Sequence, residues 1–223
     1  MKASTQNPVS SPNGIAKSAC TAVHRLTSSF ILGYHGCDRD VGERLLRGTP
    51  FKPSDNDYDW LGPGVYFWEA NPRRGFEFAQ EASRRKGSGI SKPFVIGAVI
   101  ESGLCLDLTT SSGVDWIRIA FENLAQGTAA AGLTLPTNSE DQLKRNLDCA
   151  VVRRLHTILD HQKLPPVDTL KGIFTEGSPA YPGAGFAEKT HTQIAVRNLR
   201  CIKGVFRVPT DQLINCTDSA LFV

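Results

Sequence analysis

The sequence predicts an α+β fold with a mixed or mainly antiparallel sheet. Segments of strand character gather towards both ends of the chain, and two long amphipathic helices occupy its middle. Strand and helix do not alternate regularly, as they would in the βαβ units of a parallel sheet. With 223 residues and 40% hydrophobic content, the chain suits one globular domain, expected over 23–223 behind a mobile N-terminal tail over 1–22.

The first elements after the tail are a strand and a short helix. An apolar strand over about 28–34 ends at His35 and Gly36. Asp40 can cap the helix that follows, and Gly48 ends it. The early strand therefore delivers a histidine and a glycine at its end.

The centre of the chain holds an aromatic strand between two rigid turns. Gly62-Pro63-Gly64 predicts a turn, since glycine tolerates positive φ and proline fixes φ near −65°. Val65–Trp68 is then a short buried strand of β-branched and aromatic residues. Asn71-Pro72 closes the strand and begins a helix, with asparagine as the N-cap and proline in the first helical position. Tyr66 therefore has little freedom in where it points.

The rest of the chain predicts four strands and two helices. The strands are expected over 94–100, 104–108, 192–197 and 202–208, and the helices around 116–124 and over 140–159. Each helix has an apolar stripe that we expect to be a core face. Residues 174–185 form a turn-rich loop that is too long for a simple connector.

Composition excludes several classes of protein. The net charge of +3 is too small to identify a nucleic-acid binder, although it is compatible with an anionic ligand. The six cysteines form no CxxC pair and no zinc-like cluster with histidine, which is typical of reduced cysteines in a cytosolic protein. No apolar stretch approaches the ~20 residues needed to span a bilayer, and the N-terminus lacks a secretory pattern. We therefore expect a cytoplasmic protein with no metal and no membrane contact.

Common catalytic motifs are missing as well. Asp55, Asp57 and Asp59 resemble the start of an EF-hand loop, but the required glycine and glutamate are absent, which favours a solvated loop. Gly62-Pro63-Gly64 is no dinucleotide fingerprint, and the chain has neither GxxxxGK[ST] nor GxSxG. A phosphate-binding P-loop and a nucleophile elbow are therefore excluded.

Three separated signals remain, in a definite order. Tyr34-His35-Gly36 ends the early strand, Gly64-Val65-Tyr66-Phe67 forms the aromatic strand, and Thr192-Gln193 opens a late strand after a long loop. This order resembles the ADP-ribosyltransferase superfamily, in the branch of diphtheria-type toxins and poly(ADP-ribose) polymerases. That branch is recognised by a histidine on one strand, a tyrosine on a second and a glutamate opening a third. The resemblance covers roughly residues 28–208 and implies a split, mainly antiparallel sheet with flanking helices.

The resemblance also implies NAD as the substrate and a role for each motif residue. His35 would hydrogen-bond a ribose hydroxyl of the adenosine half, and the Gly36 backbone would hold the nicotinamide amide. Tyr66 would stack on the nicotinamide ring, with Phe76 or Phe78 closing the other side. The protein would hold NAD folded and aim dipoles at the oxocarbenium-like centre that forms when the nicotinamide–ribose bond breaks.

Gln193 stands where the family usually has its glutamate, against the hydroxyls of the nicotinamide ribose. An amide accepts a hydrogen bond but adds no negative charge for the cationic transition state. Glu176 or Glu188, in or beside the preceding loop, could supply that charge. His191 shares a strand face with Gln193 and could be a general base for the acceptor, or a plain loop-end histidine.

The resulting hypothesis is a single-domain, NAD-dependent mono-ADP-ribosyltransferase, a small toxin or effector with His35, Tyr66 and Gln193 as its catalytic residues. Its acceptor would be a macromolecule, either protein or nucleic acid, and an antitoxin-type partner could mask the pocket. Two alternatives remain open: an NAD glycohydrolase with water as acceptor in the same pocket, and a catalytically silent module that binds NAD or ADP-ribose. The basic residues at 73, 74 and 84–86 could bind a nucleic acid or simply solvate their helix.

Overall fold

The computed structural model describes residues 30–140 and 144–213, so the tail expected over 1–22 lies outside the described residues. The main elements, in chain order, are β1 (Phe30–Asp38), α1 (Arg39–Leu46), β2 (Val65–Glu69), α2 (Pro72–Ser83), β3 (Pro93–Glu101), β4 (Cys105–Asp107), α3 (Ser111–Ala130), α4 (Asn146–His161), β5 (Thr169–Phe174), β6 (His191–Val196) and β7 (Ile202–Arg207). Short 3₁₀ helices lie at Leu199–Cys201 and Thr210–Leu213.

In the described residues, seven strands form one sheet in the order β4-β5-β6-β2-β1-β3-β7. Neighbouring strands are antiparallel except β4 and β5, which are parallel. Helix α2 packs on β1 and β3, while α3 and α4 pack together over β4, β5 and β6. The predicted α+β fold with a mainly antiparallel sheet is therefore confirmed.

The sheet opens between β1 and β2. Strand β1 pairs with β3 through nine residue pairs but with β2 through two, Gly33↔Glu69 and Tyr34↔Trp68. Beyond Tyr34, β1 stays with β3 while β2 stays with β6, so the two halves of the sheet diverge. His35 is the first residue of β1 inside this opening.

His35 lies within β1 rather than at its end, because the strand continues to Asp38. The helix cap also differs from the prediction. The Asp38 carboxylate, not that of Asp40, caps α1: it accepts from the backbone N–H of Asp40 at 2.9 Å. It also accepts from the backbone N–H groups of Lys92 (2.9 Å) and Ser91 (2.8 Å). These hydrogen bonds, the one from Lys92 first, hold the pKa of Asp38 well below its usual range.

The segment predicted as a long loop is an irregular extension of the β5–β6 hairpin. The backbone N–H of Lys189 donates to the Glu176 carbonyl (3.0 Å), and that of Ala180 donates to the Phe186 carbonyl (2.8 Å). Strand β5 itself has no counterpart in the prediction, because a lysine and a glycine interrupt its apolar pattern. The hairpin therefore carries its own backbone pairing beyond the sheet.

Helix α3 buries only part of its apolar stripe. Ala120 is fully buried, and Ile117 and Leu124 pack on the core between α3 and α4. Trp116 and Phe121 are 38% and 39% exposed, so the expectation of a complete core face is wrong for these two residues. The small Ala120 side chain forms the centre of a narrow contact between α3 and α4. Trp116 and Phe121 lie outside this contact.

Candidate active site

A cavity of about 730 Å³ occupies the opening between β1 and β2. This volume lies in the range of about 300–1,000 Å³ that is usual for small-molecule sites. Its wall includes six of the nine residues that the sequence predicts for a site: His35, Gly36, Tyr66, Phe78, Glu176 and Gln193. The other three, Phe76, Glu188 and His191, do not line it. Three motifs that are far apart in sequence thus reach one cavity.

His35 is fixed at the opening by hydrogen bonding across it. Its Nδ1 donates to the carbonyl oxygen of Tyr66 (2.9 Å), and the ring centroids of Phe51 and Phe67 each lie 5.6 Å from its own. A carbonyl oxygen only accepts, so Nδ1 carries the proton and Nε2 of the neutral ring is an acceptor. Burial lowers the pKa of His35, which favours this neutral form. The ring can therefore accept a hydrogen bond from a hydroxyl group.

The Tyr66 hydroxyl is committed to the turn before β2. It accepts from the backbone N–H of Leu61 (2.9 Å) and donates to the carbonyl oxygen of Gly62 (2.7 Å). Gly62 has a φ of 71°, as expected of glycine in this turn. Burial is the main cause that raises the pKa of the Tyr66 phenol above its usual range. With its hydroxyl occupied, Tyr66 can offer a ligand only its ring.

His35 and Tyr66 approach the cavity from opposite faces of the sheet. Because Tyr34 pairs with Trp68, the face of Tyr34 also carries Tyr66, two residues before Trp68. His35 follows Tyr34 and takes the other face. In a continuous sheet this alternation would keep the two side chains apart. Both reach the cavity because the sheet is open there.

Gly36 has a structural reason to be glycine. A Cβ at this position would collide with the carbonyl oxygen of Gly75 in α2. Gly75 in turn lies against Tyr34 and Trp68, so β1 and α2 meet with little side-chain volume between them. The resemblance attributes the glycine to a close approach of nicotinamide. The close approach of α2 already requires it, although Gly36 also lines the cavity.

Of the two phenylalanines of α2, Phe78 lines the cavity and Phe76 does not. The Phe78 ring centroid lies 4.9 Å from that of Trp68. Phe76 packs on the cluster of Tyr34 and Val95 instead. Phe76 therefore lies off the cavity that Phe78 lines, because two residues along a helix turn a side chain by about 200°.

Gln193 pairs with Trp68 on one side and with Gly172 on the other. Its side-chain amide lines the cavity and has no hydrogen-bond partner among the described residues. The indole N–H of Trp68, which is 3% exposed, also lacks an acceptor within the described chain. The indole N–H is an exception to the pairing of buried polar groups, whereas the half-buried Gln193 lines the cavity with an amide that is free to bind a ligand.

An ionic network joins α2 to the base of the hairpin, and its members are Arg74, Glu81, Glu176 and Lys189. Arg74 is 6% exposed and binds Glu176 (Nη2–Oε2 2.9 Å), with Glu81 at 3.6 Å (Nη1–Oε1). Lys189 binds the same Glu81 oxygen (Nζ–Oε1 2.9 Å). The Arg74 guanidinium lies 6.0 Å from the Trp68 ring centroid, and its Nε and Nη1 have no hydrogen-bond partner among the described residues. All four members of the network line the cavity.

The sequence prediction missed this network, since Arg74 was expected among solvated arginines. One signal in the sequence could have found it. Arg74, Phe78, Glu81 and Arg85 follow one another at spacings of four, three and four residues, which is one face of a helix. All four line the cavity, so assigning Phe78 to the site predicts the other three.

Glu188 and His191 lie off the cavity. Glu188 is exposed on the hairpin. His191 is 6% exposed, and its Nδ1 donates to the Lys189 carbonyl (2.6 Å). Burial is the main cause that lowers the pKa of His191, and its Nε2 has no partner among the described residues. The His191 ring is thus enclosed and off the cavity, 3.9 Å from Glu176 (Nδ1–Oε2), and its role as a base for the acceptor stays a prediction.

The loop before β2 forms another part of the wall, and Asp59 organises it. The Asp59 carboxylate accepts from the Ser54 hydroxyl (2.7 Å) and from the backbone N–H of Asn56 (3.0 Å). Trp60, which also lines the cavity, has the Arg145 guanidinium 4.4 Å from its ring centroid. The prediction of a solvated acidic loop is therefore wrong for Asp59, which binds groups of its own loop.

Lys52 and Arg85 supply positive charge without a counter-ion. Both line the cavity and are exposed, and neither has a carboxylate partner in the described part of the chain. The acidic wall residues are Asp59, Glu81, Glu140 and Glu176. All of these except the exposed Glu140 have the partners described above. Among the described residues the cavity therefore holds two cations and one carboxylate without an ionic partner, an excess of positive charge that suits an anionic ligand.

In residues 30–140 and 144–213, no group of three His, Cys, Asp or Glu side chains could hold a metal ion. No helix in that part of the chain is long and apolar enough to cross a membrane. Cys37, Cys105, Cys149 and Cys201 are unpaired thiols.

Comparison with known proteins adds little to this geometry. No family model matches the chain, and no solved structure matches it. The chain is similar to an uncharacterized protein of Methanocaldococcus jannaschii, with 44% identity over 36 residues. That segment is 16% of this chain and 17% of the archaeal protein, so the match spans about a sixth of either.

Proposed function

We propose that this chain is an NAD-dependent mono-ADP-ribosyltransferase. The observation that carries the proposal is that His35, Tyr66 and Gln193 line one cavity at the opening of a split, mainly antiparallel sheet. These residues come from three motifs that are far apart in sequence. His35 lines the cavity from the opposite face of the sheet to Tyr66, so the support lies in the shared cavity and not in a common face.

The cavity wall offers a partner for the nicotinamide, the two riboses and the diphosphate of NAD. Tyr66 lines the cavity with its hydroxyl already bound, so its ring is the part left to stack on nicotinamide. Nε2 of His35 is an acceptor for a ribose hydroxyl. Lys52 and Arg85 would attract the diphosphate, and Gln193 would bind a hydroxyl of the nicotinamide ribose.

The reaction is a substitution at C1′ of the nicotinamide ribose. The C1′–N bond breaks, and nicotinamide leaves as a neutral molecule with the electron pair of that bond. The acceptor then forms a new bond to C1′ and loses its proton. Gln193 contributes an oriented dipole rather than a charge, so positioning of NAD and the acceptor must supply more of the rate.

Each of the two alternatives is supported by one specific observation. Gln193 carries no negative charge, which favours a silent module that binds NAD or ADP-ribose without cleaving it. The cavity is open to solvent at exposed residues such as Lys52, which favours an NAD glycohydrolase with water as the acceptor. A toxin or effector role in the cytoplasm, a protein or nucleic-acid acceptor and an antitoxin-type partner belong to the same proposal.

Incubation with NAD labelled in its adenylate half tests the proposal. The protein is added to a cell lysate, and label is followed into protein, nucleic acid and free ADP-ribose while nicotinamide release is measured. A transferase puts label into a macromolecule, whereas a glycohydrolase yields free ADP-ribose with equal nicotinamide. If NAD binds in a calorimetric titration but no nicotinamide appears, the silent module is correct and the proposal is wrong.

A further inference from the structure

We propose that the surface beside the cavity binds single-stranded RNA. The inference goes beyond the proposed function, because it requires neither NAD nor turnover. It starts from the distribution of charge along the chain. Segments 38–52 and 84–92 contain eight Lys and Arg residues and three acidic residues, whereas the rest of the chain contains more acidic than basic residues. An excess of positive charge confined to two short segments suits a polyanion.

The two segments meet at one side of the cavity. The backbone N–H of Arg39 donates to the Lys92 carbonyl (2.8 Å), and the Asp38 carboxylate accepts from the Lys92 N–H (2.9 Å). Lys52 of the first segment and Arg85 of the second line the cavity. The cations of both segments therefore belong to one basic surface at the rim of the cavity.

This basic surface holds more cations than a dinucleotide needs. Lys52 and Arg85 already match the two negative charges of a diphosphate. A strand with one phosphate per nucleotide can also use the cations outside the cavity wall, whereas a dinucleotide cannot. Six of these are exposed and form no ion pair among the described residues: Arg39, Arg44, Arg47, Arg84, Lys86 and Lys92.

The acidic residues of the same two segments do not neutralise this charge. Asp38 is buried and bound to backbone N–H groups. Glu43 pairs with Arg207, which lies outside both segments (Oε2–Nη2 2.8 Å). Asp40 is the one acid of the two segments that is fully exposed. The basic surface therefore keeps a strong positive charge towards solvent.

An exposed aromatic ring at the rim adds a place for a base. Tyr58 lines the cavity and is 40% exposed, and Lys144 Nζ lies 5.8 Å from its ring centroid. Trp60, two residues further on, lines the cavity as well. Unpaired bases stack on aromatic rings beside cations, whereas the paired bases of a duplex are not free to do so. The rim therefore suits a single strand.

Glu140 favours RNA over DNA. Ser139, next to it, donates its N–H to the Lys144 carbonyl (2.8 Å). Arg145, which follows, donates its N–H to the Tyr58 carbonyl (3.2 Å), so Glu140 and Tyr58 share one part of the rim. The exposed Glu140 carboxylate has no ionic partner among the described residues, and it repels a phosphate but accepts from a hydroxyl. Each RNA nucleotide has a 2′-hydroxyl that can donate, and DNA has none.

Fluorescence anisotropy of a labelled, single-stranded RNA dodecamer measures its affinity for the full chain without NAD. The unlabelled competitors are DNA of the same sequence, a poly-glutamate peptide of equal length and vesicles that contain anionic lipid. The double variant Arg47→Ala/Lys86→Ala tests the basic surface. Its matched control is Lys163→Ala/Arg200→Ala, which removes the same charge from exposed residues outside the two segments. Thermal unfolding checks that each variant is folded.

The logarithm of RNA affinity should fall linearly with the logarithm of salt concentration, with a slope of about 0.7 for each phosphate contact. Loss of two contacts should make this slope shallower by about 1.4 and lower the affinity about 25-fold at about 0.1 M salt. The control should stay within about twofold of the parent. If the control loses as much affinity as the double variant, or if the peptide or the vesicles compete as well as RNA, the inference is wrong.

Single variants test the base and the sugar. Tyr58→Ala should weaken RNA binding about tenfold, whereas Tyr58→Phe keeps the ring and should stay within about twofold. Glu140→Ala should weaken RNA binding about fivefold and leave DNA binding equal or tighter. DNA that competes as well as RNA, or equal losses in both Tyr58 variants, would overturn the assignment to single-stranded RNA. Because NAD is absent from these assays, their failure leaves the proposed function standing, and a chain that binds RNA but releases no nicotinamide from NAD overturns only the proposed function.

Discussion

The backbone-anchored pair, His35 and Tyr66, and the ionic network around Arg74 are held in place by different forces. His35 Nδ1 and the Tyr66 hydroxyl both bind backbone atoms, and burial favours the neutral form of each side chain. Arg74, by contrast, is held by carboxylates of other side chains, on α2 and on the hairpin. Backbone partners belong to the fold itself, whereas side-chain ion pairs can exchange partners. Under the proposed function, His35 and Tyr66 would hold NAD in one position, and the ionic network would be the part of the wall that can rearrange.

The largest expected effect on stability and NAD affinity is that of substitutions at Tyr66. Tyr66→Ala removes a ring packed on the helical core and should cost about 3–5 kcal/mol of unfolding free energy. Tyr66→Phe keeps the ring but leaves the Leu61 N–H and Gly62 carbonyl without the hydroxyl, at about 1–3 kcal/mol. Denaturant unfolding measures both, and calorimetric titration gives NAD affinity. NAD binding should survive in the phenylalanine variant; equal loss of affinity in both variants would contradict a stacking role.

Acid sensitivity of the fold should come from three buried histidines, of which His35 lines the cavity and His156 and His191 do not. His156 of α4 is 8% exposed, with no partner for either ring nitrogen among the described residues. Burial is the main cause that lowers its pKa from 6.5 to about 4. The unfolded chain binds this proton more readily, so stability present above pH 6.5 is lost as pH falls towards 4. The loss is about 3 kcal/mol at most.

Denaturant unfolding between these pH values checks the effect. His156→Leu should flatten the pH dependence and leave NAD affinity at neutral pH unchanged. The pH dependence of unfolding free energy that remains in this variant should come from His35 and His191. Burial lowers the pKa of each of these side chains as well. The variants His35→Asn and His191→Asn then show how much of this remaining pH dependence comes from each histidine. A parent whose stability is flat across this window would contradict the burial of all three rings as neutral groups.

Gln193 tests whether the site turns NAD over or only binds it. Gln193→Ala should lower nicotinamide release by about 10²-fold, or about 2.7 kcal/mol, which is typical of losing one preorganised polar contact. Stability should hardly change, because the amide has no partner among the described residues. Gln193→Glu should raise NAD hydrolysis, since a carboxylate favours the cationic centre over the neutral ground state.

The control for Gln193 is Thr192→Ala, one residue away on the same strand and off the cavity. Nicotinamide release and NAD affinity are measured for all three variants beside the parent. An equal fall in affinity and turnover for Gln193→Ala would show that the amide binds NAD without favouring the transition state.

The difference between the two regions also explains what the sequence could predict. The α+β class and the meeting of His35, Tyr66 and Gln193 depend on short motifs with rigid turns around them. The ionic network depends on which of several arginines faces inward. Arg74 does so because it contacts Trp68 and Glu176, and Glu176 is distant from it in sequence. Strand β5 was missed for a similar reason, because its pairing with β6 stabilises a segment whose own pattern is broken. Local chemistry is readable from sequence, whereas partners supplied by tertiary contacts are not.

The smallest expected effect concerns Lys52 and Arg85, the two unpaired cations. They belong neither to the pair of His35 and Tyr66 nor to the ionic network. Lys52→Ala and Arg85→Ala should each weaken NAD binding by about 1 kcal/mol, or about fivefold, the upper end for exposed ion pairs. Arg84→Ala is the matched control, since it is equally exposed, adjacent to Arg85 and off the cavity. High salt should weaken NAD binding by the parent and leave the double variant nearly unaffected, because exposed charges are screened. Affinity is measured by calorimetric titration at low and high ionic strength. If Arg84→Ala weakens binding as much as Arg85→Ala, the attraction comes from the general charge of the helix end and these two cations do not mark the diphosphate position.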